Sequence, residues 1–256
     1  MPNFRHGKNS RLIVSTIDAS SLFNEMTMTH SVDTAETTVF TNDDRTYIAG
    51  QRDGTFSASG FLDATTAGTG DPFAKFRNAL GSTSLLQITA IPGAAGGSTV
   101  TVGSMCHMGA GVLTGFETAS PAMGVVTAKF DAQVSDRYDI GRTLYGPAAA
   151  KTSTFAGTSV DAGAAVAAGT TRGGVSHYHI TSASTLTSVT IKTQHSSAAA
   201  TWADLHTFTS TSTGVSRVAS TGTVKRYTRT TITAITGGAG KSVKIVVAFA
   251  RRGSVA

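Results

Sequence analysis

Intrachain disulfide chemistry is closed to this sequence, because it has a single cysteine, Cys106. The same scarcity removes any CxxC metal site and fits synthesis in a reducing compartment. Tryptophan is also single, Trp202, and aromatic residues make up only 7% of the chain. That counts against a sugar-binding surface, which usually needs several exposed rings. Charge is sparse at 14%, and no stretch approaches the roughly 18 apolar residues of a membrane span. The first fourteen residues already carry Arg5, Lys8 and Arg11 and contain no apolar run of signal-peptide length. A soluble chain without an export signal is expected. The long apolar periodicity of helical proteins is missing as well. What the chain has in quantity is Gly (28), Ser, Thr and Ala in short alternating runs, the composition of β structure with many turns.

The net charge of +6 hides a division. Residues 1–146 hold ten Lys/Arg against thirteen Asp/Glu, net −3, and residues 147–256 hold eleven against two, net +9. Between the two regimes, "GPAAAKTSTFAGTSVDAGAAVAAGTTRGG" (residues 146–174) is built from residues too small to bury much apolar area and reads as a linker. The expected organisation is a first domain over 1–146, a Gly/Ala/Thr-rich linker over 147–174 and a second module over 175–256. At 256 residues the chain is long enough for either one large core or two smaller ones.

In the first domain, "RLIVSTID" (11–18) is a β-branched run, and "LFNEMTMTHS" places Met26, Met28 and His30 on one face of an extended chain. Residues 32–54 form a long polar connection with Asn42, Asp43 and Asp44 at its tip, and Asp53-Gly54 reads as a turn. Phe56, Ala58, Gly60 and Leu62 then alternate with Thr55, Ser57, Ser59 and Phe61. One helix is specified by Asp71 as N-cap, Pro72 at the first position, Phe73, Phe76 and Leu80 on one face, and Gly81 as the stop. Four strand-like runs follow. In the last, Val126, Ala128, Phe130, Ala132 and Val134 face one way and Thr127, Lys129, Asp131 and Gln133 the other. The second module gives six strand-like runs without a helix, the pattern of a small β-sandwich, with Trp202, Leu205 and Phe208 as core candidates.

Motifs for chemistry are weak. "GGAGKS" (237–242) looks like the end of a phosphate-binding loop, but the leading glycine of that motif falls at Ile235 and a strand follows, so a hairpin turn is expected. His177 and His179 share a strand face, with His195 and His206 in the same module, yet no third ligand at fixed spacing completes a metal site. Cys106, between Met105 and Met108, reads as structural. Asp43-Asp44 sits at a hydrated loop tip, without the burial that raises a carboxyl pKa for acid catalysis. Lys225, Arg226, Arg229, Lys241, Lys244, Arg251 and Arg252 form a basic set with one interleaved aromatic, Tyr227, a poor platform for nucleic acid. No catalytic, metal or cofactor site is expected.

The stretch "DTAETTVFTNDDRTYIAGQRDGTFSASGFLD" (33–63), followed by a short helix and a set of strands, resembles the major tail tube proteins of long-tailed, non-contractile bacteriophages. The resemblance covers roughly residues 11–145, and residues 175–256 look like the extra β-sandwich modules often fused to such proteins. It implies a mainly β fold of tail-tube barrel or sandwich type with one short helix, followed by a small sandwich on the outside of the tube. It further implies a virion structural protein that self-assembles in the host cytoplasm into stacked hexameric rings, six identical subunits to a ring, through which DNA passes without specific binding. Tape measure and tail terminator proteins would be partners, and the second module could touch the host surface. On this resemblance Asp33, Glu36, Asp43, Asp44 and Arg45 belong to an inter-ring stacking loop, and Phe56, Ala58, Gly60 and Leu62 to an inter-subunit wall strand. The acidic first domain would suit a channel that passes DNA without holding it. The rival from another class is a secreted or surface-displayed β-sandwich that binds carbohydrate or cell surfaces. A second rival is an enzyme built around His177 and His179.

Overall fold

The computed structural model describes residues 7–38, 44–62, 72–93, 100–163 and 172–252. Among them the chain is mainly β with one short α-helix. In order these are β1 (Arg11–Val14), β2 (Ile17–Asp18), β3 (Phe23–Glu36), β4 (Tyr47–Phe61), α1 (Pro72–Ala79), β5 (Leu86–Ile91), β6 (Met105–Ala119) and β7 (Thr127–Val134). They continue with β8 (Asp139–Tyr145), β9 (Phe155–Ala156), β10 (Val160–Asp161), β11 (Gly174–Ser196), β12 (Ala203–Ser210), β13 (Gly214–Ser220) and β14 (Tyr227–Arg251).

The chain divides into two compact units, and each draws on separated parts of the sequence. Unit 1 comprises Met1–Ser20, Gln87–Met108 and Asp139–Ala256, and unit 2 comprises Ser21–Leu86 and Gly109–Tyr138. This differs from a division within 147–174. Inside unit 1, β14 hydrogen-bonds to β8, β9 and β10, so residues on both sides of the supposed linker share one sheet. Pairing partners far apart in sequence, which composition does not reveal, decide the boundary. The charge asymmetry sharpens on this division. Unit 2 holds six Lys/Arg against eleven Asp/Glu, net −5, and unit 1 fifteen against four, net +11, which together give the +6 of the whole.

Unit 1 is organised by two long strands. β11 and β14 run antiparallel from Gly174 opposite Arg251 to Ser196 opposite Tyr227. Both bend midway. Thr185 takes a positive φ of 44°, the register slips around it, and the "GGAGKS" of β14 lies opposite. A Cβ on Gly237 would sit 2.1 Å from the Thr185 carbonyl oxygen, so only glycine passes there. The bend brings the two halves of β11 face to face: Tyr178 Oη donates to Thr193 Oγ1 at 2.8 Å and accepts from the Thr193 amide at 3.0 Å. Tyr178, Ile180, Val189, Ile191, Ile232 and Val247 fill the space between. Residues 175–256 thus fold a bent sheet over one core that Leu144 and Val160 from outside that range also enter, and "GGAGKS" is a bend inside one strand and not a hairpin turn. Leu205 and Phe208 pack on this core as expected; Trp202 lies outside it, with the Arg229 guanidinium 4.1 Å from its ring centroid. On the other side of β11, Val175 joins Ile91, Val100, Cys106, Met108, Ala248 and Ala250 in a second cluster, so the first half of β11 is buried on both faces.

Unit 2 is a four-stranded antiparallel sheet in the order β3-β4-β7-β6, carrying α1. The period-2 alternation read from β7 is realised: Ala128, Phe130 and Ala132 are buried. Phe76 of α1 stacks on Phe130 at 5.1 Å, with Phe23 edge-on to Phe130 at 5.2 Å. Gly81, at φ 75°, follows the helix as its stop. Leu80, expected on the buried face, is 45% exposed because the helix ends at Ala79. The expected N-cap Asp71 lies outside the described residues.

Candidate functional site

The unit 2 sheet presents two unlike faces, and its register fixes them row by row. On one face Met26, Ala58, Phe130 and Phe116 lie side by side across the four strands, and next to them Met28, Phe56, Ala132 and Leu113. On the other face the rows read Glu25, Ser59, Lys129, Glu117 and then Thr27, Ser57, Asp131, Gly115. This second face is hydroxyl-rich, and its four charged residues sum to −2. Lys129 and Asp131 are joined at 3.2 Å, and Ser59 Oγ donates to Glu25 Oε2 at 3.2 Å. The sequence marks Lys129 and Asp131 as outward-facing. Glu25 and Glu117 join them only through strand register, and no local signal announces that.

The β3 edge of this sheet is unpaired among the described residues. β3 bonds only to β4, whereas β6, which bonds to β7 from Gly111 to Ala119, also pairs with β5. An unpaired strand presents a row of amide and carbonyl groups able to accept another strand.

β3 and β4 also continue beyond the covered part of the sheet as a two-stranded arm. From Thr29 on β3 and from Asp53 back along β4, residues are exposed on both faces. Ser31 pairs with Asp53, Val32 with Arg52, Thr34 with Ala49, Ala35 with Ile48 and Glu36 with Tyr47, with a bulge that places Gly50 and Gln51 opposite Asp33. The Thr37 amide donates to the Thr46 carbonyl at 2.8 Å and extends the ladder one step. The residues from 32 onward, expected as a polar loop, are thus mostly strand. Val32, Tyr47 and Ile48 stand 41%, 54% and 57% exposed on the arm.

The residues marked from the sequence fall in two groups. Asp33 and Glu36 lie on the exposed arm, Asp44 and Arg45 lie exposed where the chain returns to β4, and Asp43 lies outside the described residues. Phe56 and Ala58 are each 2% exposed and belong to the unit's own core. Gly60 is glycine for an intrachain reason, since a Cβ there would lie 1.9 Å from the Leu22 carbonyl oxygen. Leu62 is partly buried at the end of β4, its amide donating to the Val126 carbonyl at 2.9 Å. Gly54, read as a turn residue, lies within β4 against the Tyr138 ring, which stacks between Phe56 and His30.

His177 and His179 of β11 are fully buried. His179 meets Thr89 Oγ1 through Nε2 at 2.9 Å and the Ser15 carbonyl through Nδ1 at 2.8 Å, and burial pushes its pKa down to about 4. His177 Nδ1 lies 3.4 Å from the same hydroxyl, its pKa driven well down by burial and by the nearby charges of His179, Arg217 and Arg252. No group of three His, Cys, Asp or Glu suited to a metal occurs among the described residues. Cys106 is fully buried, and desolvation pushes its thiol up to about 12. Much of the basic set is engaged within the unit. Arg226 grips Asp161 through Nε and Nη2 at 2.6 and 2.7 Å, and Arg252 and Arg217 share Asp139 at 3.3 and 3.2 Å.

No protein-family model matches the sequence, and no curated protein does. Solved structures do. A chain of the virion of a native gene transfer agent particle aligns over 54% of this protein and 98% of its own length, at 13% identity and TM-score 0.41. A chain of the anti-feeding prophage cap aligns over 56% and 93%, at 11% identity and TM-score 0.45. The SPP1 Dit (gp 19.1) protein, described as a hub adsorption apparatus of phages infecting Gram-positive bacteria, aligns over 95% and 99%, at 10% identity and TM-score 0.36.

Proposed function

We propose that this chain is a structural subunit of a bacteriophage tail tube, and that copies pair edge to edge through unit 2 into closed hexameric rings that stack around a DNA channel. The observation that carries the reading is the unfinished state of the unit 2 sheet: a core on one face, a hydrophilic opposite face, and a free β3 edge. Pairing the β3 edge of one copy with a strand of the next satisfies its backbone row, and only closure of the ring leaves no such edge over. The face bearing Glu25, Glu117 and Asp131 then lines the channel, where short hydroxyl side chains and net negative charge keep phosphates from adhering. The arm, with Asp33, Glu36, Asp44 and Arg45, reaches the adjacent ring. Tape measure and tail terminator proteins are the partners at the lumen and at the end of such a tube, within a virion assembled in the host cytoplasm and belonging to a long-tailed, non-contractile phage.

Negative-stain microscopy of the purified full-length chain over a concentration series tests this. Rings or hollow tubes are expected. A protein that stays monomeric at every concentration, and also when mixed with tail-initiation proteins, overturns the reading.

A further inference from the structure

Unit 1 carries an open cleft of about 320 Å³ lined by Met105, Ile140, Arg142, Val160, Phe249 and Arg251. Its composition is unusual for a surface left to water. Met105 and Ile140 are 48% and 50% exposed at its mouth. Two guanidinium groups flank them, and among the described residues neither is bonded to a carboxylate. Arg142 donates to the Gly103 carbonyl at 2.8 Å, and Arg251 donates to the carbonyls of Val224, Lys225 and Arg226. The one carboxylate whose charge reaches Arg251, Asp161, is already bound by Arg226. An apolar floor beside two cations held only by carbonyl oxygens fits an occupant that is both apolar and anionic.

The protein itself makes such an element. The arm of unit 2 pairs Glu36 with Tyr47, both exposed, with Asp33 and Asp44 close by and Val32 and Ile48 also open to solvent. Unit 2 is net −5 and unit 1 net +11, so the field favours approach of one copy's arm to another copy's unit 1. We propose that the cleft receives the arm of a second copy, Tyr47 entering between Met105 and Phe249 while Glu36 pairs with Arg142. The contact joins two different surfaces, so it does not saturate in a dimer and propagates from copy to copy. This assignment rests on the tail tube reading and names the receiving surface for its arm.

Charge exchange in the full-length protein tests it. Glu36→Arg and Arg142→Glu are exposed substitutions, and circular dichroism should show an unchanged fold for each. Each alone is expected to lower the fraction of protein sedimenting as tubes at least tenfold, and the double exchange to restore it to within about twofold of the parent. A Tyr47→Cys, Met105→Cys variant, oxidised after assembly, should give a ladder of multimers on a non-reducing gel, with dimers at most from either single variant; Cys106 is buried and can stay. Tubes that form normally with either single reversal, a double exchange no better than the singles, or tubes without a ladder would overturn the cleft assignment and leave the tube reading standing. A parent chain that forms neither rings nor tubes overturns both.

Discussion

Two residues show how one atom decides the local fold. A methyl group on Gly60 cannot coexist with the Leu22 carbonyl 1.9 Å from its Cβ position, and the clash is with backbone, not with a side chain that could swing away. Gly60→Ala should therefore lower stability by about 1–3 kcal/mol or more, read as a shift in the urea midpoint with an unchanged slope. His179 makes the second case. Both its ring nitrogens are engaged, to Thr89 and to the Ser15 carbonyl, in a fully buried site. The unfolded chain takes up this proton near pH 6.5 and the folded chain only near pH 4, as with His206. Protonation favours unfolding throughout that window, so stability is full above about pH 7 and falls as pH falls. Between pH 7 and pH 5 the loss from His179 should be about 2 kcal/mol by denaturant titration. In His179→Gln the slope over that interval should be shallower; an equal slope would remove His179 from the account.

At the scale of the element, the arm is the clearest case of a feature separable from the core. Its described residues contribute no buried side chains to unit 2, so replacing residues 34–49 with a short turn should leave the melting temperature within a few degrees of the parent. Rings should still form, without long tubes, by microscopy; long tubes from this variant would remove the arm from stacking. The elements also show what was legible in the sequence and what was not. The strand alternation of β7 and the helix stop at Gly81 are local, set by period and by one residue's conformation, and both were readable. Gly54 and the "GGAGKS" stretch look like turns because their reasons lie elsewhere in the chain: the Tyr138 ring in one case, the Thr185 carbonyl in the other. The two-unit division was hidden for the same reason. β1 belongs with β5, some 75 residues later, and β8 with β14, about a hundred residues later. The acidic face was half legible, Lys129 and Asp131 from alternation, Glu25 and Glu117 only after register.

For the whole molecule, the net charge of +6 describes neither unit, and the hydrophilic face of unit 2 matters more than the total. If that face lines a channel, converting Glu25, Glu117 and Asp131 to Lys moves it from −2 to +4 per copy, repeated around every ring. Tubes of this triple variant should retain double-stranded DNA at low salt and release it as salt rises, whereas parent tubes should retain none, as measured by filter binding. Equal retention by both would place the face outside the channel. The lone thiol supplies a measurement on the same scale. Because Cys106, the only sulfhydryl of the chain, is fully buried, native protein should be inert to alkylating reagents, and each labelling event should mark one opening of the interior around it. The labelling rate then acts as a clock for how often a subunit comes apart, readable in free chains and in finished particles alike without adding any probe.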